Sequence, residues 1–290
     1  MNETIANRCF EFTPGTSGAA VIFLPGLQGT PLELGSIPKQ LQKLGHTICH
    51  PRIDGYSAQT GVSDYEDWLG QLNHIVDLLY QDHQAVAIVG LSMGATLALA
   101  YEAEHQKCVS ITTLSPVLNY DGWNVSPFYP LLYFIYKFGI RNWHYKESEP
   151  YGLRNLEVRR RVAKQVLTQE TTEVGSASLS AKHLYQGLRL IRFAKSILSE
   201  IETDLLVISS IDDDVTSPQT ADLIQREVKS ALRKLIWLGN SYHIITLDNE
   251  REIVVNEAVE FLEINFQKAK IILDYSDETK ELLIRNRTQE

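Results

Sequence analysis

The stretch VGLSMGATLALA, from Val89 to Ala100, places one serine between two glycines, directly after an apolar run. A strand that enters a helix through Gly-x-Ser-x-Gly is the usual context of a nucleophilic serine on a sharp turn. Gly90 and Gly94 fit that context, because residues without a Cβ let the helix approach the strand. We therefore expect Ser92 to be a nucleophile and the amide of Met93 to face a developing oxyanion. The same pentapeptide also occurs in ordinary strand-to-helix turns, so the rest of the chain has to decide.

Short apolar runs alternate with longer segments of helical period on both sides of this stretch. The runs are 19–24, 46–50, 85–89, 108–114, 205–209 and 233–238, and a run at 9–12 is a candidate edge strand. Helices are expected at 31–44, around the apolar face of Leu69, Leu72, Val76 and Leu79, after Ser92, from Ser217 with this serine as the cap, and at 250–266. Strands joined by crossover helices form a parallel sheet. The predicted fold class is therefore α/β, with a mostly parallel central sheet flanked by helices.

The regular alternation stops between Pro116 and about Glu200. Of the 26 aromatic residues in the chain, 11 lie between Tyr120 and Tyr151. We expect one domain, 1–290, that carries a mainly helical cap insertion at 117–200. The cap aromatics are expected to line an apolar pocket or to form its lid. The alternative is that they fill a small core of the cap itself.

A second oxyanion amide is expected from the loop after an earlier strand. The segment FLPGLQGTP, which begins at Phe23, runs from an apolar strand through Gly26 to a helix start at Pro31, and it nominates the backbone amide of Leu27. The competing interpretation is a phosphate-binding loop. Neither Gly-x-Gly-x-x-Gly nor the Gly-Lys-Ser/Thr ending of a nucleotide-binding loop is present, so that interpretation is disfavoured.

A serine hydroxyl needs a base to take its proton and an acid to orient that base. Of the eight histidines, only His243 follows the last candidate strand. Three consecutive acids, Asp212, Asp213 and Asp214, follow the strand before it. Three adjacent side chains cannot all face one imidazole; Asp213 is the preferred acid, with its two neighbours free to solvate or to cap a helix.

These segments together resemble the α/β-hydrolase family, and within it the bacterial carboxylesterase and monoacylglycerol-lipase-like group. The matching pieces are FLPGLQGTPLEL, GLSMGA, ISSIDDDVTSPQTA and SYHIITLDNERE. The resemblance covers 19–114 and 203–266, and it implies Ser92 as nucleophile, His243 as base, Asp213 as acid, and Leu27 with Met93 as oxyanion amides. Many members of the family have His-Gly where this chain has Pro25-Gly26. That difference leaves the role of the Leu27 amide intact and puts the conformation of its loop in doubt.

Composition excludes several classes of function. The net charge of −9 and the lack of a long basic run argue against nucleic acid as a partner. Three scattered cysteines suggest neither a disulfide framework nor a zinc site, and we interpret them as reduced core residues. We expect no metal and no cofactor.

The location expected from the sequence is cytoplasmic. The amino-terminal segment MNETIANRCFEF lacks the pattern of a secretory signal, and the apolar run 128–140 is too short to span a bilayer. The cap also carries basic residues: Lys137, Arg141, Lys146, Arg154 and the run 159–161. We interpret these as a solvated helix face. The alternatives are transient contact of the cap with an anionic lipid surface, without stable insertion, or a substrate that bears phosphopantetheine.

The function predicted from these residues is hydrolysis of a carboxylic ester with an apolar acyl or alcohol part, through an acyl-enzyme intermediate. The expected partner is thus a small ester or acyl substrate. A thioesterase or acyltransferase would use the same three residues. A binding module that kept the fold and lost catalysis is the alternative from another class.

Overall fold

The computed structural model describes residues 5, 7–58, 60–126, 129–146, 148–168, 171–172, 175–176 and 178–287. Within these ranges, side chains are described for all residues except 129–130, 132, 146, 166–168, 171–172, 175–176 and 271–287. Phe128, which the sequence analysis placed in the apolar run of the cap, lies outside the described residues.

A seven-stranded sheet forms the centre of the molecule. Its strands are β1 (Cys9–Thr13), β2 (Ala19–Leu24), β3 (Thr47–Pro51), β4 (Ala85–Leu91), β5 (Ser110–Leu114) and, after the short strands of the cap, β10 (Asp204–Ser210) and β11 (Arg233–Leu238). The spatial order is β1-β3-β2-β4-β5-β10-β11, with β1 antiparallel to β3 and the other neighbours parallel. The predicted strands are thus confirmed, with ends shifted by one or two residues.

Eight α-helices are described. They are α1 (Ile37–Lys43), α2 (Tyr65–Leu79), α3 (Met93–His105), α4 (Tyr129–Lys137), α5 (Leu156–Thr168), α6 (Ala181–Ile197), α7 (Gln219–Glu227) and α8 (Arg251–Arg287). Every residue of β2, β3, β4, β5 and β10 is buried, because helices cover both faces of the sheet. Alternate residues of β2 show this: Ala20 and Ile22 belong to the core shared with α2, α3 and α6, whereas Val21 and Phe23 belong to the core shared with α1 and α8.

The strand order positions the site. The chain runs from β2 outward to β3 on one side and then crosses back to β4 on the other side of β2. Ligands of open α/β sheets bind beyond the carboxyl ends of the strands, at the point where the strand order reverses. That point lies between β2 and β4, whose last residues are paired as Leu24 with Gly90.

Three helix predictions need correction. The helix predicted at 31–44 is divided into a 3-10 helix, Pro31–Leu34, and α1, because Gly35 turns the chain at φ 59° and Pro38 cannot continue a preceding helix. The predicted cap of α7 was also wrong, since the Ser217 hydroxyl donates to Asp121 instead. The last helix continues far beyond residue 266, to Arg287.

The region predicted as a cap contains α4, α5 and α6, together with short strands that the sequence did not predict. These are β6 (His144–Lys146), β7 (Thr171–Thr172), β8 (Gly175–Ser176) and β9 (Ser178–Ser180), paired as β6 with β9 and β7 with β8. In α6, Leu190, Ile191 and Ala194 belong to the core that α3 shares with the sheet. The limits 117–200 stay a prediction, and this packing favours an end of the cap near residue 180.

Candidate active site

Ser92 lies on a strained turn at the carboxyl end of β4. Its backbone has φ 57° and ψ −120°, a conformation that residues with a Cβ rarely adopt. The turn leaves no space beside it, since a Cβ on Gly90 would lie 2.4 Å from the carbonyl oxygen of Gly94, and one on Gly94 would lie 2.2 Å from that of Leu24. The Ser92 amide donates to the carbonyl of Leu114 at 2.9 Å, which fixes the turn to β5. The glycines are therefore required by the close contact of β4, α3 and β2.

The structure brings the predicted serine, histidine and acid together in one hydrogen-bonded chain. His243 Nε2 lies 2.8 Å from Ser92 Oγ, and His243 Nδ1 lies 2.9 Å from Asp213 Oδ2 and 3.0 Å from Oδ1. His243 and Asp213 are buried, with 4% and 3% of their surfaces exposed. With Nδ1 donating to the carboxylate, Nε2 is the ring atom that accepts a proton from the serine. This arrangement can deprotonate Ser92 and then return the proton to a leaving group.

The two acids beside Asp213 have different surroundings. Asp212 is exposed and pairs with Arg154 at 2.8 Å. Asp214 is buried, so it is not solvated, which was one of the two roles expected for it. Burial is the main cause that raises the pKa of Asp214, and the charge of His243 opposes that rise. Of the three carboxylates, only Asp213 contacts the ring of His243 in the described contacts.

Asp248, which the sequence analysis did not single out, holds the loop that carries His243. Its side chain is fully buried, and its Oδ2 accepts from the amide of Tyr242 at 2.8 Å and from that of Arg154 at 2.7 Å. Its Oδ1 accepts from the amide of Asn155 at 2.7 Å. One carboxylate thus connects the histidine loop to the chain that leads into α5, and no local pattern announces such a contact.

The loop after β2 and the start of α3 supply the two nominated amides. A Cβ on Gly26 would lie 3.8 Å from the Cβ of Ser92, so this loop runs directly beside the serine. Among the described hydrogen bonds, neither the amide of Leu27 nor that of Met93 has an acceptor, and the first amide of a helix has none within the helix. Both amides are therefore available to a negative oxygen formed at Ser92.

Tyr56 holds the loop that begins at Pro25, the loop whose conformation the sequence left open. The buried Tyr56 hydroxyl donates to the carbonyl of Pro25 at 2.5 Å. Burial and the nearby charge of Glu33 raise the pKa of Tyr56 well above its ordinary value, so the hydroxyl keeps its proton. On the same side, Gln28, at φ 58°, donates from its amide to the carbonyl of Tyr56 at 2.9 Å. The loop is thus anchored at its Pro25 end by Tyr56 and at its tip through Gln28.

Two segments within the predicted limits 117–200 approach the site, namely α6 and the chain before α5. A Cβ on Gly187 of α6 would lie 3.2 Å from the side chains of Leu27 and Met93, and one on Gly152 would lie 3.2 Å from the Cβ of His243. Tyr136 of the predicted aromatic cluster stacks on Tyr185 of α6 with ring centroids 4.2 Å apart. Several large apolar side chains in and after α4 are exposed, namely those of Leu131, Phe134, Phe138 and Ile140.

Neither a metal-binding cluster nor a membrane-spanning helix is present in the described residues. They contain no cluster of three or more His, Cys, Asp or Glu side chains arranged to hold a metal ion. In the same part of the chain, no helix combines the length and apolarity needed to cross a membrane.

Comparison with known proteins gives relatives that include a named lipase and a named carboxylesterase. The chain is 29% identical over 246 residues to the thermostable monoacylglycerol lipase of Bacillus sp. strain H-257, which covers 83% of this chain and 89% of the relative. It is 24% identical over 273 residues to the carboxylesterase of Bacillus subtilis strain 168, covering 90% and 98%. Among solved structures, the monoacylglycerol lipase of Paleococcus ferrophilus superposes with a TM-score of 0.73 at 17% identity, covering 88% of this chain and 98% of the other.

The fold, the serine turn and these relatives agree with a match to a family model. The model described as serine aminopeptidase, S33, matches residues 17–251, which is most of the chain. The chain therefore belongs to the serine aminopeptidase S33 family, a family of serine hydrolases with the α/β-hydrolase fold.

Proposed function

We propose that this chain hydrolyses carboxylic esters, with Ser92 as nucleophile, His243 as base and Asp213 as the acid that orients it. The observation that carries the proposal is the continuous hydrogen-bonded chain from Ser92 Oγ through the His243 ring to the Asp213 carboxylate. The free amides of Leu27 and Met93 beside that serine support acyl transfer in particular. Relatives named as a monoacylglycerol lipase and a carboxylesterase favour an ester over other acyl compounds.

The reaction follows from the positions of these groups. Ser92 Oγ attacks the ester carbonyl carbon while its proton moves to His243 Nε2, and the carbonyl electron pair moves onto the oxygen that the two amides hold. The intermediate collapses, the carbon–oxygen bond to the alcohol breaks, and His243 gives its proton to the leaving alcohol. Water then attacks the acyl-enzyme with His243 as base, which releases the acid and restores Ser92. The Asp213 carboxylate stabilises the imidazolium that forms twice in this cycle.

The acyl or alcohol part of the substrate is proposed to be apolar and to lie under the cap. The side chains of Leu27 and Met93, whose amides are the proposed oxyanion donors, lie close to Gly187 of α6, where a Cβ would be 3.2 Å from both. Glycine at this position lets α6 approach them closely, so the oxyanion amides lie beside the segment predicted as the cap. The proposed domain organisation is accordingly one hydrolase domain whose insertion, predicted at 117–200, covers the site.

The test is ester hydrolysis across a series of p-nitrophenyl acyl chain lengths, for wild type and Ser92→Ala. We expect turnover that depends on Ser92 and increases with acyl length beyond acetate, because apolar contact with the cap adds binding energy. Acetate as the best substrate would contradict an apolar acyl site. Turnover that survives Ser92→Ala would contradict the proposed nucleophile.

Two further substrate arms separate the alternatives. The family is described by the name of an aminopeptidase, an enzyme that cleaves the peptide bond after the amino-terminal residue. An amino-acyl p-nitroanilide therefore belongs in the substrate series. An acyl-CoA thioester tests the thioesterase or acyltransferase alternative. A larger kcat/KM for either arm than for the best ester would overturn ester hydrolysis, and failure of a fluorophosphonate probe to label Ser92 in folded protein would favour a binding module.

Transient contact of the cap with an anionic lipid surface is proposed as the way an apolar ester reaches the site. Phe134 and Phe138 in and after α4 are exposed, and Lys137 and Arg141 lie beside them in the chain. Apolar side chains flanked by cations favour an anionic interface. Sedimentation with phosphatidylglycerol vesicles, with Phe138→Ser as the matched variant, tests this contact; equal binding by both proteins would contradict it.

A further inference from the structure

A single buried carboxylate is bonded to both ends of the loop that carries the Leu27 amide. Glu33 is 2% exposed and lies in the 3-10 helix Pro31–Leu34. Its Oε2 accepts from the amide of Gly26 at 2.7 Å, and its Oε1 accepts from the amide of Thr30 at 3.1 Å. The two bonded amides lie on either side of Leu27 in the chain. The carboxylate thus spans the loop from one end to the other.

The loop has closed tightly around this carboxylate. The amide of Gly29 donates to the carbonyl of Gly26 at 2.8 Å, which makes a turn with Leu27 and Gln28 at its tip. A Cβ on Gly29 would lie 2.4 Å from Glu33 Oε1, and one on Gly26 would lie 3.1 Å from Oε2. Any larger residue at Gly29 would displace the carboxylate. The glycines of this loop therefore serve the Glu33 contact.

The opposite side of the same loop is anchored by a hydroxyl and an amide. Tyr56 donates to the carbonyl of Pro25, and the side-chain amide of Gln28 donates to the carbonyls of Tyr56 and Ser57 at 3.1 and 2.9 Å. The amides at 26, 28, 29 and 30 are thus all engaged in bonds that hold the loop. The amide of Leu27 stands apart from them, on the stretch that runs beside Ser92.

An ordinary capping role explains only half of the Glu33 geometry. In Thr30-Pro31-Leu32-Glu33, a glutamate three residues after the helix cap accepts the amide of the cap residue, which is one half of a capping box. That role accounts for the bond to Thr30. It does not account for the bond to Gly26, seven residues away in the chain and next to Leu27.

We propose that Glu33 is the positioning residue of the oxyanion loop: its carboxylate, bonded to the amides of Gly26 and Thr30, aims the Leu27 amide at the oxygen formed on Ser92. This assignment rests on the proposed function. The described bonds of Glu33 go to backbone amides and not to a reacting atom, so its effect on the transition state is proposed to act through Leu27. A preorganised donor costs no rearrangement when the negative charge appears, and removing one such donor typically lowers kcat about 10²- to 10³-fold.

The experiment compares Glu33→Gln with Glu102→Gln. Glutamine keeps the size of the side chain but presents one NH₂ group, a donor, to an amide that also donates. Glu102 is a matched control, because it too is fully buried and accepts the amide of Cys108 with both carboxylate oxygens, at 3.0 and 3.2 Å. Both variants lose a buried carboxylate that holds backbone, and only one of them lies at the proposed oxyanion loop.

The measurements are kcat and KM with the best ester, thermal unfolding, and the affinity of an aryl trifluoromethyl ketone. Ser92 Oγ adds to the ketone carbon, its proton moves to His243, and the carbonyl electron pair becomes an oxyanion held by the two amides. For Glu33→Gln we expect kcat to fall about 10- to 100-fold, less than for outright loss of a donor. We expect KM to change less than threefold and the ketone affinity to fall by the same factor as kcat. Glu102→Gln should lower the melting temperature about as much as Glu33→Gln does. It should leave kcat and ketone affinity within about twofold of wild type.

The outcomes separate this assignment from the function on which it rests. Wild-type kcat and ketone affinity in Glu33→Gln would overturn the positioning role, while Ser92→Ala, inactive in the same series, would leave the proposed hydrolase in place. Equal losses of kcat in Glu33→Gln and Glu102→Gln would reduce Glu33 to a structural residue. Ester turnover that survives Ser92→Ala would overturn the proposed function, and the assignment with it.

Discussion

Within the described residues, two clusters join a serine, a histidine and an acid by hydrogen bonds, and they lie at opposite edges of the sheet. In the first, Ser92 bonds to His243, which bonds to Asp213. In the second, Ser17 Oγ lies 2.8 Å from Nδ1 of His46, and Nε2 of His46 bonds to Glu263. Residue types and hydrogen bonds alone do not distinguish the two clusters.

The second cluster lacks what surrounds the first. Ser17 precedes β2 and His46 precedes β3, so both lie at the amino ends of their strands. Ser17 is exposed, its backbone has no positive φ, and its Oγ accepts the amide of Ala19 as in an ordinary turn. The site at Ser92 adds a strained serine, a helix start and a loop with a free amide, all at the carboxyl edge of the sheet. The comparison teaches that the backbone around a serine separates a nucleophile from a structural hydroxyl.

Removal of the two serine hydroxyls should give the largest contrast. We expect Ser92→Ala to lower kcat by about 10⁴-fold or more, because nucleophile, base and acid act as one unit. Ser17→Ala should leave kcat within about twofold, as expected for an exposed side chain away from the chemistry. Steady-state hydrolysis of one ester by both variants is the measurement, and a loss of comparable size in Ser17→Ala would abolish the distinction between the clusters.

Replacing the acid of each cluster by its amide removes the charge, keeps the shape, and tests the same contrast between the two clusters. Asp213→Asn should lower kcat about 10³- to 10⁴-fold, because the amide side chain no longer fixes the ring of His243 or stabilises its cation. Glu263→Gln in the second cluster should leave kcat unchanged. Asp214→Asn, next to Asp213, should change kcat only a few-fold, since no described contact joins Asp214 to the histidine ring. A larger loss in Asp214→Asn than in Asp213→Asn would reverse the assignment of the acid.

Local sequence was enough to predict the parts of the site that depend on neighbouring residues. The Gly90 to Gly94 turn, the apolar strand before it and the helix after it follow from steric requirements within a few residues. His243 followed from chain order, because only this histidine comes after the last strand. The same reasoning predicted the strands of the sheet, whose fully buried runs carry a strong local signal.

The contacts that hold the site were not predictable in this way. Asp248 accepts hydrogen bonds from the amides of Arg154 and Asn155, which lie 94 and 93 positions earlier in the chain. Glu33 accepts one from the amide of Gly26, on the other side of its loop. For Glu33 a signal existed in Thr30-Pro31-Leu32-Glu33, which matches a capping box, although it gives no hint of the Gly26 contact. The burial of Asp214 depends on tertiary packing and gives no signal in composition or period. The bend at Gly35, in contrast, had a local signal in Gly35 and Pro38, which the apolar period of 31–44 obscured.

His50, a histidine outside both clusters, should make the free energy of unfolding depend on pH. Burial lowers the pKa of His50 to about 4, and its ring stacks on Phe23. Between about pH 6.5 and 4 the unfolded chain binds this proton and the folded chain does not, so stability falls as pH falls through that range. The contribution to the free energy of unfolding should be about 2 kcal/mol smaller at pH 5 than at pH 7.

The measurement for His50 is urea unfolding of wild type and His50→Leu at both pH values. The difference in free energy of unfolding between the two proteins should change by that amount, because leucine does not titrate. Parallel pH profiles for the two proteins would show that folding leaves the pKa of His50 unchanged, which would contradict the prediction.

The smallest expected effect separates stability from catalysis at His46. This buried ring joins Ser17 to Glu263, and so connects the turn before β2 to α8. Glutamine cannot bridge both partners, so His46→Gln should lower the free energy of unfolding by about 1 kcal/mol, the usual net worth of such a hydrogen bond. Its kcat should equal that of wild type, whereas His243→Gln should lose activity without a matching loss of stability. His74→Gln, at an exposed position, controls for the substitution itself. If His46→Gln lowered kcat at unchanged stability, the second cluster would communicate with the site across the sheet, and the separation between a structural and a catalytic edge would fail.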